Sequence, residues 1–543
     1  MATTSRTPAH ANPLKTIREA LDEIPANLPE VRLHVAAAIS SEIDTDASFK
    51  AWDAWTKTAA DFKAATYNAA AQRARWDDLS GLAGNPLGVL RYYKQGGRFP
   101  AHENEVIECA RYVLADRLKI AGTTFYVLTE QGHWSADRKS AARLLLAVVN
   151  DLRDIARYAG PRETWTVLQK LAGFRKAEHM LDGLKAFADF DAQESDFDAN
   201  PELLGVRNGV VNLRTGEFRA AQASDMVSRV AAVPYDEQAT CPRFERFLNQ
   251  VAPTQGYQNC LQSVCGYTLV GHGNEHKAFF LLGSVGGRNG KGTFMRAIRE
   301  ALGPDYCTDL SATFMRRAGQ GNINDPTPAL MKLQGVRVAM CAEMRQSNGV
   351  DEEFFKTLTG GDTLNGVRRR GEQVTFKPQV KLLMSMNALP DWNHEKGALW
   401  ARVIVLPFYQ RFTVANININ LGDELKEEAP GILQWMIEGA MWYLRDGLSK
   451  CDEVTGATED ARPVADTVGM WINAKCQRGE GLRIPAGEAY SAYKAFIAGE
   501  RLDALNQRKF KARMVDLGYQ RMNRQASGYF YRGLVFCPRN NFA

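Results

Sequence analysis

Apolar positions recur at three- and four-residue intervals from about Leu14 to Gly97. Phe49, Trp52, Trp55, Ala59 and Phe62 share one face, which predicts amphipathic helices with the tryptophans packed in a core. The dozen residues before them, rich in Thr, Ser, Pro, Ala and Asn, read as a disordered tail. A mixed segment follows, with strand-like runs at Thr124 to Leu128 and Val210 to Leu213, and with Asn208-Gly209 and Thr215-Gly216 as turns. Between about Gly271 and Gly447 short apolar runs alternate with glycine loops and helical periods. That order predicts an α/β domain with a largely parallel sheet. Beyond Pro463 the helical pattern runs through Ala489, Tyr490, Tyr493 and Phe496, then Phe510, Met514 and Leu517, and closes in the strand-like GYFYRGLVF. Helices followed by a short hairpin suit a winged-helix module.

Composition narrows the class. At 543 residues, 45% hydrophobic and 24% charged, the chain is a multidomain globular protein rather than a disordered or disulfide-scaffold one. Its longest apolar runs, such as Ala278 to Leu282 and Val336 to Ala342, fall far short of the roughly 20 residues of a membrane span. The N-terminus shows no apolar stretch of a secretory signal, so the expected location is the cytoplasm, away from membranes. Nine cysteines without CxxC spacing read as reduced thiols rather than a zinc site. The net charge of +5 is modest, but Arg508, Lys509, Lys511, Arg513, Arg521, Arg524, Arg532 and Arg539 crowd the last stretch against the single acid Asp516. A basic terminal module points to nucleic acid.

The sharpest chemistry lies in KAFFLLGSVGGRNGKGTFMRAIREALG. An apolar strand enters a glycine loop, and a helix opens at about Lys291, which is the setting of a phosphate-binding P-loop. Backbone N–H groups of Gly286, Gly287, Arg288, Asn289, Gly290, Lys291, Gly292 and Thr293 can converge on phosphate oxygens, with Lys291 reaching the β- and γ-phosphates. Val285 stands where the first glycine of GxxxxGK[ST] belongs, and Gly292 stands where a magnesium-binding hydroxyl belongs. Thr293 is the hydroxyl that remains. A structural glycine turn is the plainer alternative.

About fifty residues on, VRVAMCAE reads as an apolar strand ending in Glu343, a candidate to hold Mg²⁺ or polarise water, or simply a solvated strand-end acid. Val367 to Arg370 and Gln373 to Phe376 flank a Gly371-Glu372 turn and predict a hairpin. Arg368, Arg369 and Arg370 near its tip, with Lys377 beside it, suit a phosphate backbone, or a solvated basic loop. Val380 to Met386 is a further buried strand ending in Asn387, whose amide can orient an attacking water. Arg402 directly precedes the apolar VIVLPF and suits a finger on transition-state charge, or an ordinary surface arginine.

In this order GGRNGKGT, CAEM, FFKTLTGGD with RRRGEQVTFKP, LLMSMN and ALWARVIVLPF resemble the superfamily 3 helicases of phages, plasmids and poxviruses, in their helicase-primase branch. Upstream ELLGVRNGVVNLRTGEFR and downstream EEAPGILQWMIEGAMWYL extend the resemblance, and AWDAWTKTAADF is similar to the small helical module that follows the primase-polymerase domain in that family. It implies a tail at 1–14, a primase-C-terminal-like helical module at 15–97, an α+β domain at 98–270, an AAA+-like ATPase core with its helical lid at 271–450 and a winged helix at 460–543. It also implies ATP and Mg²⁺ as cofactors, a hexameric ring, single-stranded and forked DNA as partners, 3′ to 5′ movement, Arg402 as a finger in trans, and a priming enzyme or polymerase supplied by another polypeptide.

Two other classes stay open. The GKGT tetrapeptide also suits a P-loop nucleotide kinase acting as a monomer. An origin-binding or replication-initiation protein could use ATP only to control assembly.

Overall fold

The computed structural model describes residues 29–39, 45–59, 99–159, 162–284, 287–311, 314–315, 328–344, 351–368, 373–389, 399–413, 418–500, 504–524 and 528–537, with the single positions Leu21, Ile24, Val89, Tyr92, Tyr93 and Gln95. The chain divides into two compact units, Met1–Ala199 with Gln222–Ser228, and Asn200–Ala221 with Arg229–Ala543. The segment 98–270, read from pattern as one domain, is therefore shared between the units. The reason lies in packing: its second half is buried against the parallel sheet described below.

The first unit is helical around a small sheet. Helices α1 (Pro29–Ile39), α2 (Thr45–Thr56) and α3 (Glu103–Leu114) precede the antiparallel strands β1 (Leu118–Ala121), β2 (Thr124–Leu128) and β3 (Trp134–Ala136). Helices α4 (Arg138–Ala159), α5 (Arg162–Leu171) and α6 (Phe174–Leu184) follow. Trp52 and Trp55 sit in its core, and each indole N–H donates to a backbone carbonyl, of Arg32 and Ile24 respectively. They are packing residues, with no face left for base stacking.

The second unit begins with the meander β4 (Leu203–Val206), β5 (Gly209–Asn212) and β6 (Phe218–Arg219), then α7 (Pro242–Val251) and α8 (Gln255–Leu269). At its centre lies a five-stranded sheet: β7 (Ala278–Gly283), β8 (Cys307–Asp309), β9 (Val338–Met344), β12 (Lys381–Met386) and β13 (Val403–Phe408) in the order β13-β7-β12-β9-β8, with every neighbouring pair parallel. Near-continuous apolar runs make such strands because both faces are covered. Phe279, Leu281, Leu383 and Leu406 face α8, α9 (Lys291–Tyr306) and α13 (Ala429–Asp446), whereas Phe280, Met384 and Val405 face α11 (Glu352–Gly360) and its surroundings. The helix α10 (Pro328–Met331) lies on that second side. The strands β10 (Leu364–Val367) and β11 (Gln373–Phe376) form a separate hairpin, Leu364 opposite Phe376 and Val367 opposite Gln373. The expected first strand, Val367 to Arg370, is thus displaced toward the N-terminus. The ladder runs from Leu364 opposite Phe376 to Val367 opposite Gln373, with Arg368 just beyond it, and Arg369 and Arg370 lie outside the described residues.

Helix α12 (Leu421–Glu427) and α14 (Asp452–Ala465) complete this core. The edge strand β13 is protected by α14: the Thr458 hydroxyl accepts from Val405 N at 3.0 Å. The chain ends in α15 (Thr467–Lys475), β14 (Cys476–Pro485), α16 (Ala486–Gly499), α17 (Gln507–Asp516), β15 (Arg521–Arg524) and β16 (Gly528–Phe536), whose strands pair antiparallel in the order β14-β16-β15 around Trp471, Tyr493, Phe510 and Tyr531.

Two sets of buried contacts hold the second unit together. Where α8 crosses α13, a Cβ on Gly266 would lie 2.0 Å from the carbonyl carbon of Gly439, so backbone meets backbone. At the opposite end of the strands two buried cations, Arg337 and Lys381, tie the meander and the end of α8 to the sheet. Arg337 donates to the carbonyls of Leu269 and Leu203 and lies 4.7 Å from the Tyr306 ring; Lys381 donates to the carbonyls of Val270 and Gln379. Burial, and then the neighbouring Arg337, hold the Lys381 pKa well below the ordinary lysine value.

Gly266→Ala is expected to destabilise the second unit by about 1–3 kcal/mol through overpacking, read as a lower denaturant midpoint at unchanged slope. The Lys381 shift has a definite sign. Between its depressed folded value and the unfolded value of 10.5 the unfolded chain binds more protons, so stability rises with pH across that window. In urea unfolding at stepped alkaline pH, the wild type should gain stability relative to Lys381→Met; a constant difference would refute the assignment.

Candidate functional site

Parallel strands present their C-terminal ends on one edge of the sheet, where α/β proteins hold ligands. Three of the sequence candidates meet there. β7 leads into the glycine loop, Asn387 directly follows β12, and Glu343 is the penultimate residue of β9. In register, Leu282 pairs with Met386 and Met386 with Met344, so these positions lie at neighbouring strand ends. Val285 and Gly286 lie outside the described residues, as do Arg369 and Arg370.

The loop is left-handed at Gly287, Arg288 and Gly290, with φ of 68°, 57° and 85°. A left-handed arginine costs on the order of 1–3 kcal/mol, a strain that tertiary bonds must hold. One such bond is Phe412 N donating to the Arg288 carbonyl at 2.9 Å. Gly290 caps α9, and Lys291 is that helix's first residue, so its ammonium rises beside the helix N-terminus.

Lys291 is buried and folds back across the strand ends: Nζ donates to Asn387 Oδ1 at 2.8 Å and to Asn289 Oδ1 at 3.3 Å. Burial lowers its pKa. Two neutral amide oxygens thus hold a largely buried ammonium at the N-terminus of α9, an arrangement that suits a multiply charged anion. Gly283 is the close-approach glycine that the motif register left at Val285: a Cβ there would fall 1.9 Å from Lys291 Nζ. Sequence spacing could not single it out, because the contact comes from the lysine folding back.

Gly292 and Thr293 open onto a cavity of about 650 Å³, walled by Arg246 and Phe247 of α7, Arg288, and Phe412. Arg246, Phe247 and Phe412 were missed from sequence, since α7 lies upstream of the motif, Phe412 lies far downstream, and both reach it only through the fold. A side chain at Gly292 would meet nothing within 4 Å.

Arg402 is not brought to the loop. It precedes β13, whose residues run from Val403 opposite Ala278 to Phe408 opposite Gly283, so the six-residue strand separates it from the site by about 20 Å. Its Nη1 donates to Thr359 Oγ1 at 3.1 Å and to the Lys356 carbonyl at 3.4 Å, at the C-terminal end of α11. Arg368 follows β10, half-buried, and donates to Gln334 Oε1 at 3.2 Å, while Lys377 after β11 is exposed.

In the C-terminal module Arg508 and Arg532 are exposed, and Arg521 stacks 3.7 Å from the centre of the Tyr529 ring. Arg513 is removed from the expected basic surface: it binds both oxygens of Asp466, the N-cap of α15, at 2.9 and 2.5 Å. The nine cysteines are free thiols. Among the described residues no helix is long and apolar enough to cross a membrane.

Residues 109–253 match the family described as D5 N terminal like, and residues 282–402, from β7 to Arg402, match a family of unknown function termed DUF5906. A protein of Acanthamoeba polyphaga mimivirus named "Putative helicase" is 28% identical over 220 residues, 40% of this chain and 22% of that protein. One of Invertebrate iridescent virus 6, also named as a helicase, is 24% identical over 408 residues, 70% of this chain and 39% of that protein. The chain thus spans well under half the length of these relatives. The apo C-terminal region of NrS-1 aligns over 76% of this chain and 94% of its own, at 9% identity and a TM-score of 0.39. Over part of its length, then, the chain is similar to a D5 N terminal like segment and to viral proteins named as putative helicases.

Gly283→Ala puts a methyl where the lysine ammonium lies and is expected to weaken binding of inorganic tripolyphosphate at least tenfold. Isothermal titration checks it, with Gly487→Ala, which has open space in α16 away from the loop, as the control that should bind like wild type.

Proposed function

We propose that this chain is an ATP-dependent DNA helicase that works as a ring in the replication of a phage, prophage or plasmid-like element. The observation that carries the reading is the 2.8 Å bond between Lys291 Nζ and Asn387 Oδ1, which joins the first helical residue after a glycine loop to the end of the adjacent parallel strand, 96 residues later. The α- and β-phosphates would lie on the N–H groups opening α9, the γ-phosphate between Lys291 and Asn387, and the nucleoside in the adjoining cavity. Lys291 supplies charge to the transferring group, and the Asn387 amide orients the attacking water. Mg²⁺, where bound, would neutralise charge on the β- and γ-oxygens; the Thr293 hydroxyl and the Glu343 carboxylate supply the oxygen donors that this ion takes.

The distance from Arg402 to its own loop supports action on a neighbouring subunit's nucleotide, and hence a closed ring; a hexamer is the state the resemblance implies. Arg368 to Arg370 and Lys377 would face single-stranded DNA within it. The C-terminal helix-strand-helix-helix-strand-strand order, with its exposed Arg508 and Arg532, supports a winged helix on duplex DNA. That module also favours a second reading, an origin-binding initiator that uses ATP for assembly.

The ATPase rate with and without single-stranded DNA, measured beside light scattering with ATP and Mg²⁺, tests the proposal. Stimulation by DNA in a ring-sized assembly is expected; a DNA-indifferent monomer would overturn it in favour of a small-molecule kinase. Lys291→Ala and Arg402→Ala should each lose turnover by at least a hundredfold, Arg402→Ala while still binding nucleotide. Mixing the two inactive variants should restore part of the activity, because a mixed ring contains interfaces with one intact lysine and one intact finger. ATP binding and assembly without strand separation would instead select the initiator.

A further inference from the structure

Among the described residues of the glycine loop, the Asn289 side chain points inward. Asn289 is 2% exposed. Its amide nitrogen donates to Ser284 Oγ at 3.0 Å and to the Gln410 carbonyl at 2.8 Å, and its amide oxygen accepts from Lys291 Nζ at 3.3 Å. Both N–H groups and the oxygen are therefore engaged, each by a different part of the site: the entry of the loop, the segment leaving β13, and the lysine. Phe412 N donating to the Arg288 carbonyl forms a second bond between the same two segments, one residue away.

We propose that Asn289 is a positioning residue for phosphoryl transfer, holding the Lys291 ammonium in place and locking the phosphate loop to the segment that leaves β13. This rests on the reading of Lys291 as a phosphate-binding lysine.

Three physical points support it. A buried amide that satisfies three separate groups is costly to replace, because each loses its partner in a water-poor interior. The lysine side chain has many rotamers, and phosphoryl transfer depends on the ammonium sitting where charge develops, so a fixed acceptor beside Asn387 removes alternatives before the nucleotide arrives. Finally, β13 is the strand whose start carries Arg402 and whose exit carries Gln410. The bond from Asn289 to Gln410 therefore joins the loop of one site to the strand that offers a finger to the next. A phosphate pulling Lys291 away from Asn289 would strain that bond first.

The experiment uses the 543-residue chain and two substitutions. Asn289→Ala deletes every bond. Asn289→Asp keeps the shape and the oxygen facing Lys291 but removes both N–H donors. For each, turnover at saturating ATP is compared with affinity for a non-hydrolysable ATP analogue, with wild type and Lys291→Ala measured in parallel. Both Asn289 variants are expected to lose at least tenfold in turnover while affinity changes less than threefold, since the phosphates still find the backbone N–H groups. Wild-type turnover in Asn289→Asp would overturn the proposal, as would a parallel loss of affinity and turnover in both variants, which marks a residue that only shapes the loop. Absence of ATPase activity in wild type, or its persistence in Lys291→Ala, would instead remove the nucleotide reading beneath it.

Discussion

A lysine ammonium buried between two amide oxygens at the C-terminal edge of a parallel sheet is the constraint around which the second unit is built. Taking a cation out of water is expensive, and neutral amides return only part of that cost. The protein offsets part of that cost with the amide oxygens of Asn387 and Asn289, across a glycine that leaves no Cβ in the way, while the helix N-terminus on which Lys291 sits adds to it. On the proposed reading, an anion with several charges would complete what those groups leave unfinished. The depressed lysine pKa and the left-handed arginine next to it are the two marks of an arrangement that stability alone would not select.

That edge can be so exacting because the rest of the sheet is rigid. Its two faces are covered by separate apolar cores, its edge strand is bonded to α14, and its far end is stapled by Arg337 and Lys381 to the meander. Both side chains donate to backbone carbonyls and lie against aromatic rings, Arg337 on Tyr306 and Lys381 on Tyr267, so neither is left without a partner where it is buried. The backbone contact of Gly266 with Gly439 then sets the distance between the helices backing the site. Packing at this density transmits displacement rather than absorbing it.

Much of this was legible in the residues. Strand, glycine loop and helix at Ala278 to Lys291 are local in sequence, and a buried apolar strand ending in a single polar residue at Asn387 has few other readings. What the sequence hid was tertiary. Gly283 and Asn289 acquire their roles from where Lys291 folds back, and α7 reaches the cavity across about forty residues of intervening chain, a placement no local period encodes. The hairpin was found but misregistered, because three consecutive arginines look like the end of a strand until the pairing of Leu364 with Phe376 is known. Arg513 was counted as surface charge, although a carboxylate at a helix N-cap 47 residues earlier had claimed it.

The placement of Arg402 bears on the assembly. Its guanidinium caps the carbonyl end of α11, the helix that leads through a glycine turn into the hairpin β10–β11. A cation at a helix C-terminus is favourable, so the side chain has a defined resting place in a single subunit. Reaching a neighbour's phosphate requires giving up those bonds, and the γ-phosphate is the stronger partner for a guanidinium. On the proposed reading of a ring, the same arginine would report a neighbouring nucleotide to the helix that precedes the basic hairpin, and nucleotide state and hairpin position would be coupled between subunits rather than within one.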